Sequence, residues 1–202
     1  MPDVFVPPAR WPRWVENFTT GHGGARLDVA DGALRGEAED GSWFVALLPF
    51  DATYVGPAVA EGFRDAAATP REWGLLLVRK GGFAVARMAG EEMVDSKVGR
   101  RHVQGRTKAG GQSQQRFARR REKQAREANE AAADHAARVL HGITTVVTGG
   151  DRAAVAEVLT DPRMGRVRPV ERWLAVADPR RQVLERAATD ARAVAVHVEN
   201  AP

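Results

Sequence analysis

The sequence predicts an α/β fold, a mixed sheet with helices packed on it. Three observations carry the prediction. Short apolar strand patterns separated by glycine turns fill the first half of the chain. Strand and helix patterns alternate in the second half. Between them, a long loop rich in glycine and cations runs into one long helical pattern.

The elements follow in order. Residues 1–20 carry Pro7, Pro8, Pro12, Trp11 and Trp14 and read as an arm that ties down through its tryptophans; the arm is drawn as 1–24 and the domain as 25–202. Residues 26–50 hold strand-like pieces broken by Gly32, Gly36 and Gly41, and Ser42–Leu48 is the best early strand. Residues 51–70 are ambiguous. Gly74–Val78 reads as a buried strand, Lys80-Gly81-Gly82 as a turn, Phe83–Met88 as its partner, and Glu92–Val98 as a third strand. Residues 99–112 form a loop whose glycines permit unusual backbone angles and whose cations keep it out of the core.

A long helix is expected from a cap at Ser113 to Leu140, with a stop at His141-Gly142. Phe117, Ala125, Ala128, Ala132, Ala136 and Val139 recur on its apolar side, and Arg116, Arg119, Arg120 and Lys123 lie opposite. Ile143–Thr148 is a strand, Asp151 caps a helix over 152–160, and 167–176 contains a further strand. Asp178-Pro179 opens another helix, and Ala193–Val198 closes the chain as a strand.

Composition narrows the chemistry. Cysteine is absent, so disulfides, thiolate zinc sites and cysteine nucleophiles are excluded. The start, Met1-Pro2-Asp3, does not read as a signal peptide, and the apolar runs are too short to span a bilayer. The net charge is only +4, yet residues 97–126 hold 11 cations and one acid, a local +10 that leaves −6 for the rest. One polyanion-facing surface is expected, with RNA favoured over an anionic membrane because the stretch has little bulky apolar content. Cations at the start of a helix oppose its dipole, so they point to a ligand rather than to helix stability.

Gly110-Gly111-Gln112 carries the catalytic hypothesis. Two glycines let the main chain approach a substrate closely. Gln112 is neutral; its side chain can orient or exclude water, and its backbone N–H can face a developing oxyanion. Such a loop supplies few groups of its own and suits a site built by another molecule. The competing reading is a basic RNA-binding loop with no chemistry. Metal chemistry is not expected, since no histidine pair has zinc-like spacing with a third ligand. Asp95, Asp134 and Asp151 read as surface, turn and cap residues. His135 reads as packing, and Trp43, Trp73 and Trp173 as core, whereas Trp11 and Trp14 could form a docking patch.

The stretch Gly110-Gly111-Gln112-Ser113 followed by Arg116-Phe117-Ala118-Arg119 and Arg121 resembles the central catalytic domain of eukaryotic and archaeal class I peptide-chain release factors. More closely it resembles the actinobacterial members of the Vms-like release factor group, over roughly residues 25–200 including the Thr148-Gly149-Gly150 turn. The resemblance implies a ribonuclease H-like or release-factor central-domain-like fold. It implies a tip, shaped by Gly110 and Gly111, that brings Gln112 to the peptide–tRNA junction in the peptidyl transferase centre. Arg100, Arg101, Arg106, Lys108, Arg116, Arg119, Arg120, Arg121 and Lys123 would grip RNA, Phe117 would anchor the helix, and His102 and Ser113 are accessory candidates.

The implied partners are the large ribosomal subunit and peptidyl-tRNA, without membrane, DNA, metal or cofactor. A cytoplasmic protein, monomeric off the ribosome, is expected. Codon-reading and GTPase-binding domains have no place in 202 residues, so stop-codon-independent rescue is the expected role. Ester hydrolysis and cutting of the tRNA near its 3′ end both occur in the family. A non-catalytic protein occupying the same centre is the alternative, and a peptidyl-tRNA hydrolase acting off the ribosome is a third reading.

Overall fold

A computed structural model describes residues 4–79, 82–100 and 112–202, with the side chains of 112–125 left aside. Its elements in chain order are β1 (Val4–Val6), α1 (Trp11–Gly21), β2 (Ala25–Ala30), β3 (Ala33–Ala38), β4 (Trp43–Leu47) and α2 (Ala60–Ala66). There follow β5 (Glu72–Arg79), β6 (Gly82–Ala89), β7 (Glu92–Arg100), α3 (Gln112–Val139), β8 (Thr145–Gly150) and α4 (Arg152–Leu159). The chain ends with β9 (Arg168–Leu174), α5 (Arg181–Ala191) and β10 (Val194–Glu199). They divide into two compact units, residues 1–70 with 188–202, and residues 71–187. The mixed α/β architecture with packed helices is as expected, but the strands are shared between two five-stranded sheets.

The first unit holds an antiparallel sheet in the order β1-β10-β4-β3-β2. Asp31 and Gly32 join β2 to β3 with φ of 52° and 74°, the two positive angles that a tight hairpin turn of matching twist requires. Gly32 and Gly41 interrupt strands as expected, but Gly36 lies inside β3. Its place is dictated by the neighbouring strand: a Cβ there would sit 2.1 Å from Phe44 Cε1.

The expected N-terminal arm is a short strand followed by an amphipathic helix. Trp11, Val15 and Phe18 recur at helical spacing and enter the core beside Phe44 and Phe63. Trp14 stacks on Trp11 with ring centroids 5.3 Å apart and meets Phe44 edge-on at 5.1 Å. Trp11 is fully buried, so it belongs to the core and is withdrawn from any docking patch. The ambiguous stretch 51–70 supplies α2, whose Phe63 packs against Tyr54 at 4.9 Å.

The second unit holds a mixed sheet in the order β7-β6-β5-β8-β9. β5, β6 and β7 form the expected antiparallel meander, while β8 runs parallel to β5 and β9 parallel to β8. Trp73 to Val78 are all buried in the central strand, which explains their continuous apolar run. α3 lies on this sheet through Ala132, Ala136, Val139 and Leu140, and the chain leaves it through Gly142 at φ 80°. Asp151 caps α4 as expected, its Oδ1 accepting from the N–H groups of Ala153 and Ala154 at 3.0 and 3.1 Å.

One expected helix start is displaced. α5 begins at Arg181, not at Asp178-Pro179. Pro179 instead lies beside β6, where a Cβ on Gly82 would come within 3.7 Å of its Cδ. The dipeptide therefore serves the approach to the helix.

Gly36→Ala should destabilise the first unit by about 1–3 kcal/mol, because the added methyl collides with a fully buried ring. Thermal or urea unfolding of the variant beside wild type measures it.

Candidate functional site

The basic loop is rooted at one edge of the second sheet. β7 is antiparallel to β6, and β6 to β5, so β7 ends at the same edge as the carboxyl ends of β5, β8 and β9. In sheets with parallel strands this edge is where ligands usually bind. Arg100, exposed, is the last residue of β7, and Gln112 is the first of α3.

α3 has 28 residues and a length of about 42 Å. Its second half is seated on the sheet. Ala128 is half-buried, and Ala132, Ala136 and Val139 continue one buried face toward the sheet. Leu140 fills the space beside Gly74, where a Cβ would lie 2.4 Å from Leu140 Cδ2. Small side chains thus bring helix and sheet close together.

Polar contacts hold the flanks of this seat. Arg138 meets Asp95 of β7 at 3.1 Å. Asn129 Nδ2 donates to Glu157 of α4 at 2.6 Å. Arg163 bridges Asp134 of α3 and Asp161, with contacts of 2.7 and 2.6 Å. Asp161 also caps the turn at Pro162–Met164 by accepting from the Arg163 N–H at 2.9 Å. The Arg163 side chain first, then its backbone N–H, lower the Asp161 pKa to about 2. These ties were not foreseen from the sequence, although Asp161-Pro162 is a legible cap-and-proline start.

The residues singled out earlier distribute as follows. Arg101, His102, Arg106, Lys108, Gly110 and Gly111 lie outside the described residues. Gln112, Ser113, Arg116, Phe117, Arg119, Arg120, Arg121 and Lys123 lie in the backbone of α3, and their side chains lie outside the described set. The helix includes Gln112, one residue before the expected cap at Ser113. Asp95, Asp134 and Asp151 do not converge; each serves its own ion pair or cap. Among the described residues no group of three or more potential ligands could hold a metal, and no helix is long and apolar enough to cross a membrane.

The remaining aromatic and imidazole groups have local partners. His135 stacks on Phe83 at 5.4 Å, and His197 faces Trp43 at 5.3 Å. His22, expected in a flexible segment, meets Asp40 at 2.7 Å at the end of α1. Trp73 is fully buried and donates to the Gly90 carbonyl at 2.8 Å, and Arg152 lies over the half-buried Trp173 at 4.4 Å.

Comparison with known proteins adds to this geometry. A family model described as Actinobacteria/chloroflexi VLRF1 release factor matches residues 71–197, which is 127 of the 202 residues. The match begins at the first residue of the second unit and reaches into β10. A solved structure titled "Vms1 mitochondrial localization core" is similar over 81% of this chain and 75% of that chain, with 12% identity and a TM-score of 0.44. No curated protein matches significantly.

The bridge at Asp161 has a pH signature. A depressed carboxylate contributes stability that is present above its unfolded pKa and is lost as pH falls through the folded value. Asp161→Asn should therefore be less stable than wild type above the ordinary value of 3.8, and the difference should vanish as pH falls to about 2. Melting curves of both proteins from pH 6 downward, roughly one unit apart, measure it. A difference that persists undiminished at low pH contradicts the assignment.

Proposed function

The chain belongs to the Actinobacteria/chloroflexi VLRF1 release factor family, and from that premise we propose that it frees nascent chains from stalled large ribosomal subunits through Gln112, without reading a stop codon. It is a translation factor of the ribosome-rescue class that cleaves peptidyl-tRNA, and it works in the cytoplasm with the ribosome. Hydrolysis is its reaction class. The observation that supports the finer assignment is the position of Gly110-Gly111-Gln112, within the matched residues and leading directly into a 28-residue helix whose second half is seated on the sheet.

The helix supplies reach. From Ala128 to Gln112 the rise of an α-helix amounts to about 24 Å. A Gly-Gly-Gln segment joined to the helix at that distance along its axis from Ala128 would be able to enter a narrow RNA-walled centre while the seated half stays outside. Arg116, Arg119, Arg120, Arg121 and Lys123 then meet phosphates, which offsets their unfavourable position near the helix N-terminus. Arg100, Arg101, Arg106 and Lys108 extend the same charge along the loop.

Gln112 provides positioning rather than base catalysis. Its amide can order the attacking group, and its N–H can face the oxyanion as the bond to the tRNA breaks. Gly110 and Gly111 keep side chains out of that approach. His102 and Ser113 are the accessory candidates. The protein would act on the large subunit and peptidyl-tRNA, as a monomer when off the ribosome.

Purified protein is incubated with large subunits that carry a labelled peptidyl-tRNA, and both the peptide and the tRNA 3′ end are resolved. Wild type should release the peptide: free, with intact tRNA, if the ester is hydrolysed, or still bearing the terminal nucleotides, with a shortened tRNA, if the 3′ end is cut. Gln112→Ala should lose about 10²-fold in rate, the scale of one positioned catalytic group. Undiminished release by that variant would remove Gln112 from the mechanism, and tight binding without product from either protein would favour a non-catalytic role at the same centre.

Binding should also weaken steeply with salt. Replacing Arg119 and Arg120 together by Gln should reduce the slope of log affinity against log salt by about 1.5, since each phosphate contact contributes about 0.7–0.9. An unchanged slope in a salt titration on large subunits would separate these arginines from the RNA.

A further inference from the structure

Between the seated half of α3 and the ends of β5, β6 and β7 lies a cavity of about 180 Å³. We propose that it is a slot for one unpaired RNA nucleobase, with the arginines at its rim meeting the adjoining phosphates. The inference rests on the RNA-facing reading of the loop and names a second point of contact on the same partner.

An aromatic stack lines one side. Phe83 and His135 line the cavity with ring centroids 5.4 Å apart and planes inclined by 25°. Phe83 is held in place from below, because its ring occupies the space beside Gly99, where a Cβ would lie 2.2 Å from Phe83 Cε1. His135 is fixed by the seated part of α3, one residue before the fully buried Ala136. Because the two rings stack on each other and Phe83 is buried, the outer face of the half-buried His135 is the surface left for a base, and its anchored ring has little side-chain freedom to lose.

The wall on the helix side is low. Ala128 and Ala131 present only methyl groups, so the opening is a slot rather than a closed core. The volume decides what can enter. It falls below the ~300–1,000 Å³ of sites for drug-sized ligands, so it suits a single ring system and excludes a whole nucleotide. Sugar and phosphate must then remain at the rim.

The rim carries the matching charge. Arg79 and Arg100 line the cavity, and among the described lining residues none is acidic. The Arg79 guanidinium is oriented by donation to the Val176 carbonyl at 2.7 Å. The nearby Glu157 carboxylate accepts from the Asn129 amide at 2.6 Å. That bond turns the nitrogen of Asn129 toward α4 and leaves its oxygen as the acceptor for a base N–H. By contrast, the cavity of about 380 Å³ on the first sheet mixes Arg26 and Arg35 with Asp28 and Glu37 and offers no single sign.

The test uses the full chain and a short single-stranded RNA carrying one 2-aminopurine, beside the same RNA made abasic at that position. Wild type should quench the fluorescence and bind the base-containing RNA about tenfold more tightly, the scale of one base–aromatic stack. Ala131→Phe fills the slot; it should abolish the preference while leaving affinity for the abasic RNA unchanged. His135→Ala should lose the preference and His135→Phe should keep it, which separates stacking from a general effect on folding. Melting curves establish that each variant is folded.

Equal affinity of wild type for the two RNAs overturns the slot, as does a folded Ala131→Phe protein that keeps the preference. Peptide release on loaded large subunits is followed with the same proteins. Release without any base preference removes the slot and leaves the rescue role standing. Base preference without release supports the slot and removes the rescue role.

Discussion

Close approach between α3 and the second sheet is the constraint on which the site depends. Ala132 and Ala136 let the helix descend onto the strands, and Gly74 vacates the space that Leu140 fills. Alanines bury little apolar area each, so this seat gains less from burial than a leucine-lined one would. The ties to Asp95, Glu157 and Arg163 fix the direction of the helix more than they add to its stability. Direction is what matters for a segment carried at the far end of a long lever. A small tilt at the seat becomes a large displacement at Gln112.

The charge of the loop and of the first turns of α3 acts in the opposite sense. Cations repel one another and oppose the helix dipole at that end. Alone, such a cluster is electrostatically unfavourable; against RNA, as proposed, the same charges would release counterions and drive binding. In the proposed role the partner RNA would neutralise these charges, while the seated half of α3 is balanced, with Arg138 paired to Asp95 and Asp134 to Arg163.

The first unit has a core of its own. Trp11, Phe44 and Phe63 are fully buried in it, and the Trp14–Trp11 stack closes its helical side. The family match starts after this segment, at residue 71, yet runs into β10, which pairs with β1 and β4 of the first sheet. The last strand therefore couples the integrity of the first unit to residues that the family pattern includes.

Much of this was legible in the sequence because it is local. Alternation and apolar runs located β4 to β10, the Asp151 cap needs only the next three residues, and Gly142 stops α3 through its own backbone angle. Gly-Gly-Gln followed by arginines pointed to RNA through composition and spacing alone. What the sequence left undecided is non-local. Gly36 is read as a break unless Phe44 is known to lie across from it, and Trp11 as a surface anchor unless the ring cluster is assembled. Asp134 and Arg163 are 29 positions apart and meet only after α3 is seated. The partition of ten strands between two sheets was likewise decided by pairing, since a strand's pattern shows which face is buried but not which neighbour supplies its hydrogen bonds.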